Sequence, residues 1–281
     1  MVKPALLLFN LIFFISLSGC QNPALEPSFK EENIPYTVKQ ICKDEYQLDV
    51  VTERKDNTLW VYVPFAKILD KEYGIKEGKV LDEQMSDKLR NILTTVGRVI
   101  LSSNKAPEFF AVWSSDINIG MDYIIIGNIL DLKKAYAESI PFTELNKRYL
   151  MKIDMNPEAI RDTTGQHLKF YDIRMRDFIT QQIVQRVSFE FQSENLKKYF
   201  RLEKIDGIFD SDAFILEYSA IPLLKPDKPI NALDEILNIA AYCIKAYDFW
   251  DFSRVEVTNL ITRDKIVLNK LEIFARQLPT D

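Results

Sequence analysis

Acid–base chemistry in proteins falls mostly to histidine and to paired carboxylates, and this chain offers one histidine and a few acidic clusters. His167 sits beside a Thr164-Gly165 turn. A general base needs an orienting partner and a nucleophile within reach. No Gly-x-Ser-x-Gly elbow, His-Glu-x-x-His pair or Cys-x-x-Cys pair occurs, so neither a hydrolytic triad nor a His/Cys metal site is expected. His167 reads instead as a half-exposed strand residue. Carboxylates alone can hydrolyse glycosidic bonds when two of them flank the scissile bond. The densest cluster is Asp206, Asp210 and Asp212, with Asp116 and Asp122 as a second. All five fall at expected strand ends or hairpin tips, where aspartate caps turns. Their spacing misses the calcium-loop pattern, so a weak cation site is the most that Asp206, Asp210 and Asp212 suggest. Arg174, Arg176 and Arg186 punctuate an expected helix and could pair with acidic neighbours, but nothing around them forms a phosphate site. Glycine is scarce, 8 residues in 281, against a usual ~7%, and Gly-rich phosphate cradles are absent. No cofactor and no metal are expected.

One further residue type carries chemistry. Leu17-Ser18-Gly19-Cys20 closes an apolar run, Leu6-Leu7-Leu8-Phe9 and Leu11-Ile12-Phe13-Phe14-Ile15, that follows a single early charge, Lys3. A positive start, a short apolar stretch and small residues before a cut have the layout of a secretory signal. The string resembles the lipobox of bacterial lipoproteins, where the cysteine is acylated and the signal is cleaved before it. The resemblance implies that residues 1–19 are a signal peptide and that Cys20 is the lipidated first residue of the mature chain. In enteric-type bacteria an aspartate after that cysteine favours retention at the inner membrane. Here Gln21 follows, which implies the outer membrane, facing the periplasm, if the cell has two. No named family is evident for the rest.

Removing residues 1–19 leaves 262 residues, and Lys3 is the only charge lost. The mature chain then has 35 Lys and Arg against 41 Asp and Glu, a net charge of −6. An acidic surface argues against nucleic acid, because phosphate binding needs clustered cations. It equally argues against attraction to anionic lipid. The acyl chains would supply the membrane affinity, about 0.8 kcal/mol per buried methylene. With 47% apolar residues and 12% aromatics the body can bury a large core. Cys20 being lipidated, Cys42 and Cys243 remain. Two thiols in an oxidising compartment can form a disulfide, and two buried, reduced cysteines are the alternative.

Residues 20–33 read as a tether with two prolines and three glutamates, spanning about 20 Å as a random coil. A helix follows from Ile34-Pro35, capped by Asn33, with Val38, Ile41, Cys42 and Tyr46 on one side. Strands are expected over 48–54 and 58–64, a helix over 86–101, and strands over 109–116 and 123–128. Residues 131–174 form an insertion: a helix over 142–149, then a hairpin of 150–155 with 167–173. A helix over 175–191 and strands near 199–205 and 213–218 come next, with Asp206-Gly207 and Asp210-Ser211-Asp212 beside them. The helix over 232–247 is capped by Asn231. Strands over 254–261 and 265–268 and a short helix over 271–276 close the pattern. The predicted fold is α+β: helix–strand–strand units in antiparallel sheet, covered by helices on one face. Two similar halves result, 34–130 and 175–281. Cys42-Lys43-Asp44-Glu45-Tyr46 and Cys243-Ile244-Lys245-Ala246-Tyr247 echo each other at this spacing.

Two aromatic stretches bear on function. Tyr247-Asp248-Phe249-Trp250-Asp251-Phe252 could be a recognition surface, but a plug at the end of the core accounts for it better. Leu59-Trp60-Val61-Tyr62-Val63 is bulky on both faces, as in a strand covered by a second layer. The expected function is that of a membrane-tethered, non-enzymatic envelope lipoprotein, anchored through acylated Cys20 and docking on another envelope protein. The rivals are a carboxylate-dependent hydrolase of envelope glycan or peptide and a carrier of a small apolar ligand.

Overall fold

In the computed structural model, residues 29–69, 81–224 and 230–276 are described; the expected signal peptide, Cys20, Gln21 and tether residues 20–28 lie outside them. A 3₁₀ turn, Glu31–Asn33, runs straight into helix α1, Ile34–Tyr46. Because Asn33 itself has helical φ and ψ, its side chain makes no cap, contrary to expectation, and Pro35 needs no partner for a missing N–H. Residues 29–33 also belong to the body rather than to a tether. Phe29 bonds its backbone to Ser102 and Asn104, and Glu31 pairs with Arg54 and Lys105.

Strands β1 (Val51–Lys55) and β2 (Thr58–Phe65) form a hairpin. Helix α2, Glu83–Leu101, starts at Asp82, whose side chain accepts from the backbone of Gln84 and Met85 at 3.0 and 3.2 Å. A second hairpin follows, β3 (Phe109–Asp116) with β4 (Met121–Asn128). Helices α3 (Ile129–Tyr136) and α4 (Phe142–Arg148) then lead into β5, Leu150–Met155. The rest runs as helix α5 (Met175–Gln192), hairpin β6 (Phe200–Asp210) with β7 (Ala213–Pro222), and helix α6 (Ala232–Ala246). Hairpin β8 (Arg254–Asn259) with β9 (Lys265–Asn269) and helix α7 (Lys270–Ala275) complete it. Strand β6 runs through Gly207 instead of turning there. The space a Cβ would take at Gly207 is filled by Leu216, Thr180 and Val184 at 2.9–3.0 Å.

The class is α+β, with a five-stranded sheet ordered β1-β2-β3-β4-β5 and a four-stranded one ordered β6-β7-β8-β9. Each hairpin is antiparallel, but the central pairs β2–β3 and β7–β8 are parallel. This departs from the all-antiparallel expectation because α2 and α6 are crossovers that carry the chain back before the next strand starts. The halves α1-β1-β2-α2-β3-β4 and α5-β6-β7-α6-β8-β9 therefore share order and pairing. The Cys42 and Cys243 echo is not part of this likeness, since α1 corresponds to α5 and α2 to α6.

Three clusters make the interior. One packs α1 and α2 on the first sheet, another packs α5 and α6 on the second. The third covers the opposite face of the first sheet: Trp60, Phe109, Ala111, Ile124 and Ile126 lie under Phe170, Ile173 and Phe178. One-sided cover holds for the second sheet alone. The strand around Trp60 has its second layer, as its sequence suggests, but 167–173 is not a strand. It runs as extended chain across that aromatic face, tied by Trp60 Nε1 donating to Tyr171 O at 2.7 Å. The expected hairpin partner, β5, pairs instead with β4.

Candidate functional site

The residues picked out by chemistry are scattered. Asp206 and Asp210 lie four residues apart on β6, about 13 Å, and Asp206 pairs with Lys204 at 2.6 Å. Asp212 is in the turn beyond, and no group of three or more His, Cys, Asp or Glu able to hold a metal occurs among the described residues. Asp116 and Asp122 also diverge. Asp116 has the parity of Phe110 and Val112 on β3 and caps a turn, accepting from the backbone of Ile68, Asn118 and Ile119. Asp122 has the other parity and accepts from Ser115 Oγ at 2.5 Å and Asn156 Nδ2 at 2.6 Å. Cys42 belongs to the first core and Cys243 to the second, both as free thiols, which excludes the disulfide between them. Burial pushes the Cys243 thiol up to about 12.

His167 is nearer to chemistry than its sequence suggests. Its side chain is 3% exposed, and Nδ1 lies 2.6 Å from Asp162 Oδ2. Burial alone would raise the Asp162 pKa; the donors of His167 and Thr164 overcome it and hold the carboxyl well below the usual range. Asp162 also accepts from Gly165 N–H, so one carboxylate organises the whole turn. The ring abuts Tyr62 and Trp113 edge-on. This pair fastens the extended segment to the sheet. In the aromatic stretch 247–252, Tyr247, Phe249 and Phe252 plug the core, and Trp250 stacks on Phe274 at 3.7 Å.

A buried polar network joins the insertion to the second half; of its members only Arg186 was singled out from the sequence, as a residue that could pair with acidic neighbours. Arg148 on α4 donates Nε to Glu144 Oε1 at 2.8 Å and an NH1 hydrogen to Asp131 Oδ1 at 2.7 Å. Arg186 on α5 donates to the same Glu144 oxygen at 2.8 Å and lies over the Tyr242 ring. Tyr242 donates to Glu144 Oε1 at 2.6 Å, and Tyr247 to Asp131 Oδ2 at 2.6 Å. Two cations thus meet two anions with few donors left over. Desolvation opposes ionisation of Glu144, but Tyr242, Arg148 and Arg186 together hold its pKa below the ordinary value. Charges so balanced and enclosed clamp structure; they do not leave a group free to react.

An open groove lies between β5 and α5. A groove of about 830 Å³ is lined by Leu150–Ile153 of β5 and by Gln181, Val184, Gln185, Ser188 and Phe189 of α5. Met151, Ile153 and Met155 continue the apolar row of Ile125, Tyr123 and Met121, yet remain 41%, 52% and 70% exposed. Phe189 is 44% exposed. Among the described residues of the lining, Lys152 alone is charged, in a chain with 27% charged residues. A solvated face normally carries charge, and this one is mostly apolar. The sequence predicts a strand over 150–155 but singles out neither this row nor its exposure. Comparison of the chain with family models, with curated proteins and with solved structures gave no match.

Proposed function

We propose that this protein is a lipid-anchored component of a bacterial envelope that acts by docking on another envelope protein and not by catalysis. The observation that carries the docking part is the exposed, largely apolar groove between β5 and α5, lined by Met151, Ile153, Val184 and Phe189 with Lys152. A groove whose walls stay half-exposed suits a segment of a partner better than a small molecule, which is normally buried over most of its surface. The anchor rests on Leu17-Ser18-Gly19-Cys20 after its apolar run. With Cys20 acylated, the body would stand a short tether away from the bilayer, where its surface could meet a membrane-associated partner.

Metabolic labelling with a palmitate analogue tests the anchor. Wild-type chain should take up label and Cys20→Ala should not, remaining as an uncleaved or soluble precursor. Label persisting on the alanine variant refutes it. In a cell with two membranes, density-gradient fractionation should place the protein with the outer one, as Gln21 implies.

A further inference from the structure

The backbone of β5 specifies what the groove takes, on the reading that this protein binds a partner. Met151 points its N–H away from the sheet, donating to Gln185 Oε1 at 2.8 Å. Backbone groups alternate along a strand, so the N–H and C=O of Ile153 and Met155 point the same way. Asn156 confirms the phase by turning its N–H inward to Gly120 O at 2.7 Å. Among the described residues nothing takes the outward groups of Ile153 and Met155. On the strand's other face Asp154 lies directly across from buried Asp122. Its carboxylate has no ion pair or hydrogen bond among the described residues. Like charges in opposed positions destabilise a sheet, so this site favours an incoming cation.

We propose that the β5 edge adds an extended strand from a partner protein, apolar at alternate positions, with lysine or arginine opposite Asp154. Strand addition satisfies the bare edge, and side-chain pockets set specificity. The alternate apolar residues would fall on the side of Met151, Ile153 and Met155, of which Met151 and Ile153 share the groove with Val184 and Phe189. A second copy fits poorly. Two antiparallel registers keep Ile153 and Met155 paired within β5. One centres on Ile153 and needs the Met151 N–H that Gln185 holds. The other sets Asp154 against Asp154 of the copy, adding like charge to the Asp122 site. The edge of β6, by contrast, is crowded by Arg201, Glu203, Lys204 and Asp206, which discourages pairing there.

The test uses the full-length chain in detergent and two blocked hexapeptides, Thr-Val-Arg-Val-Thr-Val and Thr-Val-Glu-Val-Thr-Val. Amide titration by NMR and hydrogen exchange report on Ile153 and Met155. The arginine peptide should slow exchange at both amides and bind about fivefold more tightly than the glutamate peptide. Asp154→Lys should reverse that order. Ile153→Pro, tolerated at an edge, should abolish binding of both while leaving the fold melting normally. Equal binding of the two peptides, or no protection at Ile153 and Met155, overturns the proposal. So does a concentration-dependent dimer that Ile153→Pro abolishes, which would give the edge to a second copy. A chain that takes up fatty-acid label yet ignores both peptides removes strand addition alone and leaves the anchored reading standing.

Discussion

Replacing Arg148 by methionine should unseat the joint between the insertion and the second half. The side chain is 8% exposed and makes hydrogen bonds of 2.8 Å to Glu144, 2.7 Å to Asp131 and 3.3 Å to Tyr242. Methionine keeps most of the volume and removes the charge. Glu144 retains Arg186 and Tyr242, but Asp131, 1% exposed, keeps only Tyr247 as a side-chain partner. Breaking a buried pair from one side costs about 3–5 kcal/mol, because an uncompensated charge stays behind. That is a large part of a total stability of roughly 5–15 kcal/mol. At about 2–4 °C per kcal/mol for a chain of this size, the melting temperature should fall by about 6–20 °C. The assay is thermal unfolding followed by far-ultraviolet circular dichroism at pH 7, in low and in 0.5 M salt. Adding Asp131→Leu to Arg148→Met should restore part of the loss, since the stranded carboxylate is then gone. Arg98→Ala is the control. It breaks a pair of similar geometry with Glu45, at 2.6 and 3.1 Å, but both side chains are nearly half exposed, and melting should stay close to wild type. A shift for Arg148→Met no larger than that of the control, or one that salt removes, would refute the claim that the network is buried and structural.

Glu144 gives the same network a pH signature. Its folded pKa is lowered, so its stabilisation is present above the ordinary value of 4.5 and is lost as pH falls through the folded value. Glu144→Gln should thus be less stable than wild type at pH 7, and denaturant titrations should bring the two together in acid; a constant difference down to pH 3 would contradict this. Leu237→Asp puts a carboxylate into a fully buried site between α6 and the second sheet and should prevent folding or cost several kcal/mol, read as loss of soluble, cooperatively melting protein. Glu235→Ala should change stability by under ~1 kcal/mol, and equal melting of the two variants would mean that the buried face of α6 is misassigned. Gly127→Ala should cost about 1–3 kcal/mol, because the new Cβ would lie 2.3 Å from the Phe110 ring and 2.9 Å from Tyr149; an unchanged melting temperature would show that both rings can move.

Local periodicity carried most of the elements. The apolar stripes of α2, α5 and α6 and the β-rich runs of β2, β3 and β4 depend on neighbours a few residues away, and α+β class and the repeated unit followed from them. The strand at 150–155 was legible for the same reason, and so was the covered strand at Trp60, bulky on both faces. Strand partners were not legible. Pairing β5 with β4 instead of with 167–173, and β2 parallel to β3, depends on where crossover helices return the chain, which no window of sequence contains. Asn33 failed as a cap because a 3₁₀ turn, stabilised by Glu31 contacts far along the chain, had already made it helical. The single histidine looked idle because its partner Asp162 acts through a turn that only the folded segment defines. By itself the sequence determined most of the elements, the acidic balance and the string ending in Cys20, all set by residue type and short spacing; it missed the helix Ile129–Tyr136 and placed a strand at 167–173 where there is none. Only the tertiary structure decided that Arg148 and Arg186 share Glu144, that the two cysteines stay apart in separate cores, and that Met151, Ile153 and Met155 face solvent. Each of these depends on distances between segments far apart in the chain, fixed when the helices and sheets pack.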